Sequence, residues 1–597
     1  MSALRLDAMA VLCVLAACGP SVHKNNGDGG AGGDGGGGPT VDAPPLPHTL
    51  EAIVVTPTSS IIQLDLNQGS SQVFTATAEY EDGSNVDVSS QVAWTVANPA
   101  VGAMTGDTLA IPGFGSADAE TSTITATLPA SGSDAMMTGQ GQLTVVAYRQ
   151  SGAQQDFFFI LPYEDGSGAQ DKPLDFSTAI PALDVFFDMD TTGSMAGEIK
   201  NLQTSLNGTV IPGIQAAVSN AQFGVGAMED FPISPYGDTN CPTNGVNDQP
   251  FKLMQTITSS STAVTAGVNA LSTASGGPIG CGNDTPEGGL ESIYQAATGD
   301  GLTSPSPTSV PANHTGIGGV GFRAGTMPVI VAISDADSHG VGETGACDGQ
   351  AEAYAGTVAT VAHSRAQTKT ALANICARVV GLSAVFSGED ATCDATAYMT
   401  DLATTTGARV PPAAWDVGTR PAGCSATQCC TGPLGAGVAP DAQGLCPEVF
   451  QVSTTGTGVS ASLVTGIQML TRFATFVVNS VTNGVMTDIA GNPLPAGHTT
   501  ADFIKQVIPV SFTLPPPPPA LPNPTIDTTN NAFDNVTPGT EVTFSVNAFN
   551  DFVPQTANAQ IFRATIQVVA GGCTSLDQRD VLILVPPQPI QIDARGR

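Results

Sequence analysis

The stretch 183-LDVFFDMDTTGSM-195 joins an apolar run to a polar loop and is followed by a helical pattern over 195–205. Asp190, Thr192 and Ser194 alternate in it, so one carboxylate and two hydroxyls face a common point. Hard oxygen ligands of this kind suit Mg²⁺, Mn²⁺ or Ca²⁺. The same residue types also cap helices. Alone, the stretch leaves a capped turn, an enzyme site and a metal site open.

Apolar runs and helical patterns alternate from 183 to 475. This order predicts a mostly parallel sheet with helices on both faces, and such sheets bind ligands at the carboxyl ends of their strands. The expected strands are 183–190, 222–230, 251–257, 327–335 and 378–387. The expected helices are 195–205, 262–272, 288–298, 350–376, 394–405 and 460–475.

Three further segments place carboxylates where strands end or helices begin. They are 226-GAMEDFPISPY-236 with Glu229 and Asp230, 283-NDTPEGGLESIYQAA-297 with Asp284 and Glu287, and 329-VIVAISDADSHG-340 with Asp335 and Asp337. Parallel strands bring these ends to one rim of the sheet. So many negative charges repel each other, and a bound cation relieves that repulsion.

The region 183–475 resembles a von Willebrand factor A (VWA) domain with a metal-ion-dependent adhesion site. Its motifs are most similar to those of the integrin β I-like domain over about 180–345. The resemblance rests on DMDTTGSM, EDFPISPY, FKLMQTIT, DTPEGGLESIYQAA and VIVAISDADSH, in that order. It implies a Rossmann-like, doubly wound α/β domain that binds a ligand through a metal ion.

The resemblance implies two neighbouring cation sites. For Mg²⁺ or Mn²⁺ at the adhesion site, the implied ligands are Asp190, Thr192, Ser194, Glu287 and Asp335. For Ca²⁺ at an adjacent site, they are Asp230, Asp284, the Pro286 carbonyl and Glu287. A third site of the integrin family needs paired aspartates where this chain has Gly197 and Glu198, so we do not expect it to be complete.

Two polar residues near the motif fall outside this ligand set. Asp188 stands inside the first strand, and because a lone buried carboxylate is costly, we expect either a hydrogen-bonded side chain or a bulge in the strand. His339 follows the last carboxylate segment, and we expect it to be a solvated loop residue.

The flanking regions alternate with period two and predict all-β domains. Residues 48–147 include VAWTVANPAVGAM, which resembles the immunoglobulin-like modules of bacterial surface proteins, so we expect an Ig-like β-sandwich. Segments 150–182 and 476–590 are expected to form one split β-sandwich into which the α/β domain is inserted. The expected fold class is therefore multidomain, with a central VWA domain between Ig-like sandwiches.

The first residues predict export and anchoring. Residues 1–17 have the pattern of a signal peptide, and LAAC resembles the bacterial lipobox, which implies lipidation of Cys18. The Gly-, Asp- and Pro-rich stretch 18–47 predicts a flexible tether. We expect a lipoprotein anchored to a bacterial membrane, the outer one being favoured, on the periplasmic or cell-surface side. The ten later cysteines then predict disulfides.

The net charge and the absence of two catalytic motifs limit the functions that are compatible with the chain. The formal net charge of -34 disfavours nucleic acid as a partner. No G-x-S-x-G or H-E-x-x-H motif occurs, so we predict a non-enzymatic protein. The favoured function is binding a protein ligand, or another acidic ligand, through the metal ion, with an Asp or Glu carboxylate of a protein ligand completing the metal shell. The alternatives are an envelope scaffold stiffened by its metal and, less favoured, a metal-dependent hydrolase.

Overall fold

A computed structural model describes residues 49–131, 135–151, 155–242, 245–273, 277–385, 393–418, 420–516 and 523–589. The signal peptide, the lipidation of Cys18 and the tether were predicted for residues that lie outside these ranges. Among the described residues, no helix combines the length and the hydropathy needed to cross a membrane.

The N-terminal region is all-β. Its strands form three sheets, ordered β1-β4-β5, β2-β10-β9-β6 and β3-β8-β7, around one apolar core that includes Phe74 and Leu143. The strands are β1 (Leu50–Thr56), β2 (Ser59–Asp65), β3 (Ser70–Val73), β4 (Thr75–Tyr80), β5 (Asn85–Asp87), β6 (Ala93–Val96), β7 (Ala103–Thr105), β8 (Thr108–Ile111), β9 (Asp118–Leu128) and β10 (Met137–Tyr148).

Two strands, β11 (Phe157–Ile160) and β12 (Gln170–Ser177), lead into an α/β region. Its strands are β13 (Leu183–Asp190), β14 (Ala221–Met228), β15 (Lys252–Thr258), β16 (Met327–Ser334), β17 (Ala346–Cys347), β18 (Gln350–Ala351), β19 (Arg378–Val385), β20 (Arg409–Val410), β21 (Cys446–Pro447) and β22 (Val449–Ser453). Its helices are α1 (Ala196–Ser205), α2 (Ile211–Gln215), α3 (Ser261–Asn269), α4 (Gly289–Thr298), α5 (Arg365–Asn374), α6 (Thr396–Thr405) and α7 (Val459–Phe473).

The α/β sheet has the strand order β15-β14-β13-β16-β19-β22, with β15 antiparallel and every other neighbouring pair parallel. The first strand, β13, lies between β14 and β16, and all eight of its residues are buried. Because the chain winds outward from β13 in both directions, the sheet is doubly wound, as predicted. The carboxyl ends of β13, β14 and β16 therefore meet at one edge.

The helix predicted over 350–376 is wrong for its first half. A hairpin of β17 and β18 and an irregular segment precede α5, which begins only at Arg365. The apolar pattern of this stretch has another cause, because Tyr354 is buried against Asp230 and His339. Gly349 and Gly356 adopt positive φ angles that interrupt a helix.

The C-terminal region is again all-β, and both flanks of the α/β region share its sheets. One sheet has the order β11-β29-β28-β23-β26-β25 and the other β12-β27-β24. Strand β11 runs parallel to β29, with Phe157 opposite Val581. The strands are β23 (Phe476–Gly484), β24 (Ile504–Thr513), β25 (Thr525–Asp527), β26 (Ala532–Val536), β27 (Glu541–Ala548), β28 (Gln560–Ala570) and β29 (Thr574–Val585).

The ten cysteines after Cys18 form five disulfides, which confirms the expectation of disulfide bonds. Two of these bonds staple the segment 424–446, and one, Cys376–Cys573, joins the α/β region to the C-terminal sheet. The pairs are Cys241–Cys281, Cys347–Cys393, Cys376–Cys573, Cys424–Cys430 and Cys429–Cys446.

Candidate metal centre

Asp190 ends β13 and is completely buried at the edge of the sheet. Its Oδ1 accepts hydrogen bonds from the backbone N–H of Thr192 (2.9 Å) and from the Thr192 hydroxyl (2.7 Å). Its Oδ2 accepts one from the Ser334 hydroxyl (2.6 Å) at the end of β16. The Thr192 Oγ1 lies 3.4 Å from the Oγ of Ser194, which is exposed. The Asp190 carboxylate thus holds the Thr192 hydroxyl beside the exposed hydroxyl of Ser194.

Glu287 is held beside this loop by its backbone. Its N–H donates to the Asp337 carbonyl, and its own carbonyl accepts from the His339 N–H, both at 2.8 Å. The next residue, Gly288, donates to the Glu229 carbonyl (2.8 Å). The segment before α4 is therefore bonded to the loops that follow β14 and β16. These bonds fix a buried carboxylate at the meeting point of three chain segments.

An open cavity of about 670 Å³ lies over these groups. Four of the five implied adhesion-site ligands line it, and Asp190 lies behind Thr192. They are Thr192, Ser194, Glu287 and Asp335. The structure therefore brings together the residues selected from the sequence for this site, and it gives them an opening to solvent.

The carboxylates at this edge resist ionisation in the metal-free protein. Burial raises the pKa of Glu287 well above its ordinary range, and the charges of Asp190 and Asp230 add to the effect. Burial likewise raises the pKa of Asp190, against the hydrogen bonds from Ser334 and Thr192. Glu287 Oε2 is buried and accepts no hydrogen bond from a described residue. A divalent cation fits this donor set, since it would compensate both the charge and the missing partner.

Glu198 and Glu229 add buried acid around the centre. Burial, together with the charges of Asp335 and Asp190, raises the pKa of Glu198 to about 7. Burial and the neighbouring Asp248 raise the pKa of Glu229 to about 10. Thr191 donates its hydroxyl to Glu229 (3.1 Å). Glu198 and Glu229 thus add carboxyl groups to this edge of the sheet, but they do not line the cavity.

A second cluster lies beside the first. Asp230 is completely buried, and its Oδ1 accepts hydrogen bonds from the Phe231 N–H (2.5 Å) and the Tyr354 hydroxyl (2.7 Å). Asp230 Oδ2 lies 3.9 Å from His339 Nε2, and Asp284 Oδ2 lies 3.3 Å from the same nitrogen. Pro286 and Glu287 follow Asp284 in the chain and are buried. The carboxylates of the second site are thus near each other, and they are joined by His339, which was not among the ligands expected from the sequence.

The expectation that His339 is a solvated loop residue is wrong. Its side chain is 0% exposed. The ring packs edge-on against Tyr236 and is stacked on Tyr354, with centroids 4.9 and 5.0 Å away. The loop after β16 folds inward because the hairpin segment around Tyr354 covers it.

Asp188 is hydrogen-bonded, which is one of the two alternatives expected from the sequence. Ser292 in α4 places its hydroxyl 2.8 Å from both carboxylate oxygens. The register of β13 with its two neighbours is unbroken at this residue. Burial, opposed by the Ser292 hydrogen bond, raises the pKa of Asp188 to about 7.

Other contributors to the site were missed from the sequence. Ser334 bonds Asp190, and Asp248 holds the loop before Asp284 by accepting the N–H groups of Cys281 (2.6 Å) and Gly282 (3.3 Å). Ser334 directly precedes Asp335, so its position at the strand end was a usable signal. Asp248 lies in an irregular segment with no periodic pattern to mark it.

Comparisons with known proteins give structural similarities alone. No protein-family model matches the chain, and no curated protein does. A von Willebrand factor type A structure from Catenulispora acidiphila matches at 11% identity and a TM-score of 0.26, over 75% of this chain and 78% of that one. The pilus adhesin SpaC from Lactobacillus rhamnosus GG matches at 11% identity and a TM-score of 0.28, over 74% of this chain and 49% of the adhesin.

This chain therefore spans about half the length of that adhesin. A proximal thread matrix protein of the mussel byssus matches at 9% identity and a TM-score of 0.19, over 39% of this chain and 46% of that one. At these scores the structural similarities carry no argument about function.

Proposed function

We propose that this protein binds a protein ligand through a divalent cation, Mg²⁺ or Mn²⁺, held at the carboxyl edge of the α/β sheet. The observation that carries the proposal is the buried Glu287 carboxylate, whose Oε2 lacks a hydrogen-bond partner among the described residues, beside the Thr192 and Ser194 hydroxyls under an open cavity. The motif resemblance to VWA domains supports the same assignment.

The residues divide the work of such a site. Thr192 and Ser194 would offer hydroxyl oxygens, Glu287 and Asp335 carboxylates, and Asp190 would orient Thr192 or reach the ion through water. The ion would supply the positive charge that this edge lacks. The coordination position of the ion that faces the cavity would be filled by an Asp or Glu side chain of the ligand. This charge-assisted contact favours a carboxylate over a neutral side chain.

We also propose that the protein acts outside the cytoplasm as a lipoprotein held by Cys18. Five disulfides support an oxidising compartment. We infer no catalytic step at the centre. We also infer no nucleic-acid partner, since the net charge of -34 repels polyanions.

Bound Mn²⁺ offers a direct test through water-proton relaxation. We expect Mn²⁺ to bind the purified protein and an added Asp-containing peptide to lower the relaxation enhancement, because its carboxylate displaces metal-bound water. The same peptide with Asn in place of Asp should have no effect. Asp190→Ala should abolish the Mn²⁺ signal, whereas Glu541→Gln, an exposed residue of β27, should leave it unchanged.

Two results would contradict the binding mechanism. If Asp190→Ala retained the peptide response, the metal bridge would be wrong. If Mn²⁺ bound and raised the melting temperature but the Asp peptide changed nothing, the scaffold alternative would be favoured. In that alternative the metal would only reinforce the loops after β14 and β16, which the backbone of Glu287 and Gly288 links.

A further inference from the structure

His339 is held with an oxygen atom beside each ring nitrogen, a backbone carbonyl at Nδ1 and a carboxylate at Nε2. Its Nδ1 lies 3.0 Å from the Glu352 carbonyl oxygen. A carbonyl oxygen only accepts, so Nδ1 carries the proton. Stacking against Tyr354 and edge contact with Tyr236 fix the ring plane. In the neutral ring, Nε2 is then an unprotonated lone pair.

That lone pair faces two carboxylates. Nε2 lies 3.3 Å from Asp284 Oδ2 and 3.9 Å from Asp230 Oδ2, and lone pairs facing each other repel. Asp230 Oδ2 and Asp284 Oδ1 are themselves buried and accept no hydrogen bond from the described part of the chain. With the neutral ring, three acceptors therefore converge without a donor, a costly arrangement that either a proton on Nε2 or a metal cation among the three groups relieves.

The spacing fits a small transition-metal ion. One ligand atom each from Asp230, Asp284 and His339 can be chosen so that all three lie within 4.8 Å of one another. Zinc–nitrogen and zinc–oxygen bonds of about 2.0–2.1 Å in a tetrahedron place neighbouring ligand atoms about 3.3 Å apart. A histidine that donates its other N–H to a backbone carbonyl is the usual arrangement at such metals.

We propose that Asp230, Asp284 and His339 form a binding site for a divalent transition-metal ion of the zinc type, separate from the adhesion site. An imidazole nitrogen favours Zn²⁺ over Ca²⁺, which takes six to eight oxygen ligands. Glu287, the shared residue of the two expected sites, or a water molecule supplies the fourth ligand. This ligand set replaces the oxygen-only calcium site expected from the sequence.

Zinc titration of the full-length protein in excess Mg²⁺ tests the assignment. We expect one equivalent of Zn²⁺ to bind, a large excess of Ca²⁺ not to displace it, and Co²⁺ to give the visible absorption of a four-coordinate ion. His339→Gln should weaken Zn²⁺ binding at least about tenfold and keep the Mn²⁺ signal of the adhesion site. His363→Gln is the matched control, because His363 also contacts a carboxylate, that of Glu291, 3.0 Å away.

A measurement on the unmutated protein covers the case in which His339→Gln fails to fold. Nitrogen-15 NMR of the histidine rings should show His339 with a protonated Nδ1 and an Nε2 resonance that shifts when Zn²⁺ is added. Protonation of both ring nitrogens that persists in excess Zn²⁺ would overturn the proposal, since the imidazolium would then replace the metal. Equal Zn²⁺ binding by His339→Gln and the unmutated protein would also overturn it.

Discussion

Glu448 shows at the scale of one residue how burial controls a carboxyl group. It is completely buried, neither carboxylate oxygen has a hydrogen-bond partner among the described residues, and burial raises its pKa well above the ordinary 4.5. Its Oε2 would lie 3.4 Å from a Cβ at Gly466 in α7, among contacts that include Phe450 and Val380. Burial therefore favours the neutral acid over the carboxylate in the folded protein more strongly than in the unfolded chain.

Glu448→Gln should therefore change stability in a pH-dependent way. A raised folded pKa gives a contribution that is fully present below the unfolded pKa and is lost as the pH rises through the folded pKa. The free energy of unfolding of the variant should equal that of the unmutated protein near pH 4.5, the ordinary pKa of a glutamate. At about pH 8 the variant should be the more stable of the two. The gap should grow by up to about 1.4 kcal/mol per pH unit.

Chemical denaturation across this pH range measures the gap. Glu541→Gln, which replaces an exposed carboxylate in β27, should show no such divergence. A Glu448→Gln variant that is equally destabilised at every pH would instead mean that the amide disturbs the packing.

At the scale of elements, the loop before α4 brings Gly282 against the metal centre. Gly282 has a φ of +69°, and a Cβ there would lie 3.1 Å from Thr192 Cγ2 and 3.2 Å from Glu287 Oε1. Asp248 and the Cys241–Cys281 disulfide hold this loop in place. The loop therefore leaves no room for a side chain beside two implied ligands.

Gly282→Ala should weaken Mn²⁺ binding because Thr192 and Glu287 must shift. Gly444→Ala is the matched control, since Gly444 has a φ of +76° and open space at its Cβ. Both variants should lose about 1 kcal/mol of stability through the left-handed backbone. Only the first should bind Mn²⁺ more weakly in relaxation titrations, and equal metal affinities in the two variants would show that the loop does not shape the site.

The elements that were predictable are those with a strong period. Strand β13 was predicted at its observed bounds, because a parallel strand that is buried on both faces is mostly apolar. Strand β22 was missed, since its five residues are too few for a clear pattern. Carboxylates at strand ends indicated the candidate ligands, whereas the burial of His339 depends on a hairpin more than ten residues away in the chain and has no local signature.

At the scale of the whole molecule, the C-terminal sheet joins the amino ends of the α/β strands. The Ser575 N–H donates to the Gly325 carbonyl (2.9 Å), just before β16. The Arg378 guanidinium at the start of β19 lies 4.8 Å from the centre of the Phe476 ring. The Cys376–Cys573 disulfide makes this junction covalent across 197 residues of sequence.

Replacing both cysteines by serine, Cys376→Ser with Cys573→Ser, should lower the unfolding free energy by about 2–5 kcal/mol. The loop that the bond closes is long, so its removal frees much entropy in the unfolded chain. The pair Cys424→Ser with Cys430→Ser opens a bond separated by only 6 residues and should cost less. Calorimetry of the two double variants measures the unfolding free energy that each has lost. A larger loss in the variant that lacks Cys424–Cys430 would contradict the entropic explanation.

The pairing of β11 with β29 has a mechanical consequence. The chain enters the α/β region after β12 and leaves it into β23, so both crossings lie on the side away from the carboxyl edge. Tension applied to a ligand at that edge would pass through the parallel strands to the junction and its disulfide. There β11 and β29 would share the load as two strands sheared together, and the centre itself would not have to unravel first.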